Sequence, residues 1–142
     1  MKTLIFSFIF FAGLLFGFTS CQNKSDDMTP DPQVELALTQ GTWRVSAYTV
    51  NGTDQAALFN GYIFTLNQNN TASANNGTVT NGTWASSTNN GAKTISIDLG
   101  TSMPFIILNQ PWKVGAFNFT TVNLSFSSIN PTVQSVLILQ KN

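Results

Sequence analysis

The sequence predicts an all-β domain: about eight short antiparallel strands that close as an up-and-down barrel, with a two-sheet β-sandwich as the alternative architecture. Three observations point there. Apolar and polar residues alternate with period two in several short runs, as in strands buried on one face. Asn-Gly pairs fall at 51–52, 76–77, 81–82 and 90–91, residues that tolerate the positive φ of tight hairpin turns. Helical patterning is confined to two stretches, 33–39 (QVELALT) and 54–60 (DQAALFN), each only long enough for about two turns.

The strands follow in order. Residues 42–50 (TWRVSAYTV) place Trp43, Val45 and Ala47 on one face and Arg44, Ser46 and Tyr48 on the other. Residues 62–66 (YIFTL) group Tyr62, Phe64 and Leu66. Residues 93–99 (KTISIDL) alternate most cleanly, with Ile95, Ile97 and Leu99 facing in, and residues 121–126 (TVNLSF) repeat the pattern with Val122, Leu124 and Phe126. Weaker strand signals lie at 71–74, 82–87, 112–119 and 134–140. Gly115 marks a site for a bulge in the strand that begins at Trp112. Residues 105–108 (FIIL), between Pro104 and Pro111, read as a buried connection. Closure of the strands removes exposed edges, and a barrel this shallow is expected to be filled by its own side chains.

The start of the chain has a different character. Lys2 precedes the uncharged run 4–18 (LIFSFIFFAGLLFGF), and the small residues Thr19 and Ser20 then lead to Cys21. This is the layout of a secretory signal peptide, expected over 1–20. Fifteen residues rise only about 22 Å as a helix, short of a hydrocarbon core of ~30 Å. Cys21 has no second cysteine to pair with. Its setting, Phe18-Thr19-Ser20-Cys21, resembles the lipobox of bacterial lipoproteins. That resemblance implies cleavage before Cys21 and acylation with palmitate-type chains, anchoring the chain in a membrane without spanning it. Residues 21–33 contain two prolines and mostly polar side chains, so they read as the lipidated Cys21 and a flexible tether, with the domain proper at 34–142. The acidic Asp26 and Asp27 resemble a surface-export signal of lipoproteins from one Gram-negative phylum. The expected location is the cell envelope, in the outer membrane and facing outward.

Charge narrows the partners. The chain has six Lys or Arg and six Asp or Glu; cleavage before Cys21 removes Lys2 and leaves a net charge of −1. Such a chain cannot neutralise a row of phosphates, so no nucleic-acid partner is expected. The protein is expected to be a monomer.

The domain body resembles the small lipocalin-like domains of bacterial lipoproteins. The marks are LTQGTW at 38–43, containing the Gly-X-Trp signature as Gly41 and Trp43, NGYIFTL at 60–66, NGTW at 81–84, TISIDLG at 94–100, Pro111-Trp112 with Val114, and LILQK at 137–141. The family implies an eight-stranded barrel and carriage of a small apolar molecule. Many members lay a basic side chain from the last strand over the signature Trp; here Lys141 is the residue available.

No enzyme is expected. Without histidine the chain lacks the commonest general base, the commonest metal ligand and any Ser-His pair. Beyond the tether the carboxylates are Glu35, Asp54 and Asp98, scattered in sequence. Asp54 suits capping of the short helix after it, and Asp98 alternates outward. No metal site and no cofactor are expected. Trp43, Phe64 and Phe126 are assigned to the core. Tyr62 and Trp84 are the expected ligand contacts, because each combines a ring with a polar tip. A small hydrophobic ligand is one reading; the other is a plugged barrel acting as a structural or protein/glycan interaction domain at the cell surface.

Overall fold

The computed structural model describes residues 33–129 and 132–142. The expected signal peptide, Cys21 and nearly all of the expected tether lie outside the described residues; Gln33, placed above at the end of the tether, opens the first helix.

That helix, α1 (Gln33–Leu38), is followed by nine strands: β1 (Thr42–Val50), β2 (Thr53–Asp54), β3 (Ile63–Leu66), β4 (Thr71–Asn75), β5 (Val79–Asn89), β6 (Ala92–Asp98), β7 (Trp112–Phe117), β8 (Thr121–Ile129) and β9 (Thr132–Lys141). β1 and β3 to β9 pair antiparallel in sequence order, and β9 returns to pair with β1. The sheet is therefore a closed eight-stranded up-and-down barrel and not a sandwich. β2 is a two-residue addition, folded back on the end of β1 through Asn51 and Gly52, both at positive φ.

All eight strands expected from alternation are present. The expected helix at 54–60 is a single 3-10 turn over Ala56–Phe59, and Asp54 belongs to β2. Its carboxylate still satisfies a backbone donor at the start of that turn, accepting the Ala56 N–H at 2.9 Å. The 105–108 connection contains a second 3-10 turn, Phe105–Ile107.

Two local expectations are corrected. Asn81-Gly82 is not a turn but lies within β5, where Gly82 pairs with Ala72. A Cβ at Gly82 would sit 1.9 Å from the Asp98 carbonyl oxygen, so glycine is there to let β5 and β6 approach, and not for positive φ. In β1, the register with β9 shifts between Val45 and Ala47. The bulge reverses the alternation, so Tyr48 turns inward with Trp43 and is 5% exposed. The bulge expected near Gly115 is present as a register shift between Val114 and Phe117.

The barrel interior is full. Trp43, Trp112, Phe59, Phe64, Leu66 and Ile95 are all under 2% exposed. Val34, Ala37 and Leu38 of α1 close the end where β1 begins, and Phe59, Phe105 and Leu108 close the end where it finishes. Among the described residues, every core residue lies between Val34 and Leu139.

Gly82→Ala is expected to cost about 2–3 kcal/mol, because a backbone carbonyl cannot move aside without opening β5 from β6. Gly52→Ala, with open space around it, should lose only about 1 kcal/mol from its left-handed backbone. Urea unfolding of the two variants would show that order.

Candidate functional site

The described surface offers two recesses whose chemistry goes beyond packing, one at each end of the barrel. The first is a small pocket at the end where β1 finishes. Tyr48 of β1, Trp112 of β7, Phe126 of β8 and Ser135 of β9 form its walls, with Ile107 and Gln110 at its rim. Its volume is about 160 Å³. The walls are aromatic because inward positions bring the rings edge to face: Trp112 and Phe126, on the neighbouring strands β7 and β8, have centroids 6.0 Å apart, and Tyr48 meets Trp112 across the barrel end at 6.4 Å.

Two polar groups sit among those rings. Burial pushes the Tyr48 phenol up from its ordinary value, and the neighbouring Ser135 side chain offsets part of that rise. Trp112 Nε1 is different. It is buried and has no acceptor. A sealed donor without a partner costs about 1–3 kcal/mol.

The second recess is a groove of about 420 Å³ at the opposite end, between α1 and β5, with the β3–β4 turn on its far side. Leu36, Thr39 and Trp84 give it apolar walls, and Glu35, Gln68 and Asn70 bring polar ones. Glu35 Oε1 accepts from Lys93 Nζ at 2.5 Å and from Ser86 Oγ at 2.7 Å. These partners come from inward positions of β6 and β5, near the mouth that α1 covers. Burial pushes the Glu35 carboxyl up, but the Lys93 and Ser86 bonds outweigh it and hold the group below its ordinary 4.5. Glu35 Oε2 is buried with no donor.

The residues expected at a ligand mouth fall in different places. Trp84 lines the groove but is only 5% exposed, in the middle of β5, with its Nε1 donating to the Asn67 carbonyl at 2.8 Å. Tyr62 is half-buried, lines a separate cleft with Arg44 and Phe59, and packs edge-on against Phe105 at 5.3 Å. The two do not share a recess. Gly41 and Trp43 have structural roles. Trp43 donates to the Leu38 carbonyl at 2.8 Å, tying α1 to the barrel. Lys141 is its cross-strand partner, and the Lys141 Cε lies 2.9 Å from where a Gly41 Cβ would be. A basic side chain from the last strand thus lies beside the signature residues.

Neither recess was legible as a unit. Trp112 and Tyr48 stand in unrelated stretches, and the bulge that turns Tyr48 inward reverses its sequence phase. Glu35 and Lys93 are 58 residues apart. The carboxylates Glu35, Asp54 and Asp98 do not line a common recess, and Asp98 is exposed, accepting the Gly100 N–H at 3.0 Å. Among the described residues no group of three His, Cys, Asp or Glu could hold a metal ion.

No protein-family model matches the chain, and no curated protein matches it. A solved structure of a DUF4847 family protein from Bacteroides vulgatus is similar in fold, with a TM-score of 0.52 and 16% sequence identity, covering 77% of this chain and 97% of that one. At that identity the likeness concerns the fold alone.

The Glu35 pair makes stability depend on acid. A carboxyl whose folded value is depressed contributes fully above its unfolded value, here about 4.5, and the contribution disappears as pH falls through the folded value. Thermal midpoints recorded from pH 6 to pH 3 should therefore drop on acidification, and Glu35→Gln should flatten that drop.

Proposed function

We propose that the chain is an envelope-tethered binding module whose ligand is a small ring-sized molecule held at the barrel mouth by Tyr48, Trp112 and Phe126. The supporting observation is the Trp112 indole N–H, buried without an acceptor in the wall of an aromatic pocket. An occupant with a carbonyl or ether oxygen supplies that acceptor once a rim side chain shifts to admit it.

Size restricts the ligand further. Pockets for drug-sized molecules run to about 300–1,000 Å³, whereas a cavity of ~150 Å³ suits a single benzene-like ring. The pocket here, at about 160 Å³, belongs with the second kind. The filled interior leaves no room for a fatty acid or porphyrin to thread down the barrel axis. Recognition in place of catalysis fits the absence of histidine and the dispersal of the carboxylates.

Cyclohexanone and methylcyclohexane have nearly equal size and differ in the acceptor. Cyclohexanone should bind about tenfold more tightly, the worth of one hydrogen bond to an otherwise unpaired donor. Titration followed by tryptophan emission and by the Trp112 indole proton signal reads this directly. Equal binding of the two rings would remove the basis of the proposal.

The tether completes the reading. Acylated Cys21 places the barrel at a membrane surface, in the outer membrane by the lipobox-like and acidic residues around it. Cys21→Ser should move the chain from the membrane fraction to the soluble envelope fraction and abolish incorporation of labelled palmitate. Retention in the membrane without label would assign anchoring to residues 4–18 instead.

A further inference from the structure

We infer that the groove between α1 and β5 is a second binding site, selective for a neutral amphiphile whose polar end donates one hydrogen bond. It lies at the opposite end of the barrel from the mouth pocket and has the reverse preference, since its unpaired group is an acceptor.

The inference starts from Glu35. Its Oε1 accepts from Lys93 Nζ and Ser86 Oγ, and Oε2 is buried with no hydrogen-bond partner. The side chain remains 27% exposed and lines the groove. The terminal torsion of a glutamate is soft, so a small rotation turns unfilled lone pairs toward the groove without moving α1. A hydroxyl or amide N–H arriving there completes the carboxylate.

Charge selects among donors. Lys93 already balances Glu35, so an ammonium would add an uncompensated positive charge beside a lysine, and a carboxylate would meet a carboxylate. A neutral donor avoids both. The rest of the groove sets the body of the ligand. Leu36 is 43% exposed on its rim although it is a large apolar residue, and Trp84 and Thr39 continue the apolar wall. At about 420 Å³ the groove lies within the range of sites for whole small molecules. A medium-length alkyl chain against Leu36 and Trp84, with its hydroxyl or amide at Glu35, satisfies both halves of the lining.

The test uses residues 22–142, which contain all of the core found among the described residues, labelled for amide NMR. The probes are 1-octanol, octyl methyl ether and octanoate at pH 7.5. The expected result is saturable shifts at Leu36, Thr39 and Ser86 with 1-octanol, about tenfold weaker binding of the ether, which has no donor, and weaker binding still of octanoate. Leu36→Lys, a change at the exposed rim, should weaken 1-octanol about tenfold while leaving cyclohexanone binding at the mouth unchanged. Ether binding as tight as the alcohol would overturn the inference, as would shifts confined to Tyr48 and Ser135, or no saturable shift up to the solubility limit. Trp112→Phe leaves this site intact, so failure here and failure of the mouth site are separable.

Discussion

The pairing of the first strand with the last holds this molecule together. β1 and β9 meet along the whole length from Trp43 to Val50, joining positions more than eighty residues apart in sequence. The other barrel pairings join strands that follow one another in the barrel order. Without this seam the eight strands are an open meander with two bare edges; with it, the inward side chains become an interior. Side chains reinforce the junction at both ends. Arg44 donates to Gln140 at 2.6 Å, and Asn51 exchanges two bonds with the Gln134 backbone, at 2.7 and 2.8 Å. Closure of such a long loop comes at an entropic cost before it yields contacts, which makes it the slow step of folding on general grounds.

The size of the interior follows from what that seam encloses. Three tryptophans and several phenylalanines in so small a barrel leave no axial cavity, and the recesses are pushed to the two ends. Each end then inherits the polar atom its packing could not satisfy: an indole donor at one, a carboxylate acceptor at the other. The two recesses carry opposite unsatisfied groups.

Alternation and turn chemistry made the architecture readable. Ile95, Ile97 and Leu99 face inward as their spacing implies, and Asn51-Gly52 and Asn90-Gly91 take up positive φ at hairpin turns. What the sequence concealed depends on contacts across the barrel. Asn81-Gly82 has the composition of a turn, but the glycine answers to the Asp98 carbonyl in the next strand. The bulge at Val45–Ala47 has no local signature, and it decides that Tyr48 points inward. The Glu35–Lys93–Ser86 cluster requires knowing that a short helix folds back over the β5–β6 hairpin. Local periodicity carries no information about any of these.

The junction between α1 and the barrel also has a mechanical meaning. Force applied to the chain ahead of Gln33 enters through this six-residue helix. The helix is fastened by Val34, Ala37 and Leu38 in the core, by the Trp43 indole on Leu38 and by the Lys93 and Ser86 bonds to Glu35. β1, next in the line of load, is held by its ladder to β9, interrupted only at the Val45–Ala47 bulge. The helix comes first in the line of load and the β1–β9 seam second. A pull on the chain ahead of Gln33 therefore tests the helix before it tests the seam.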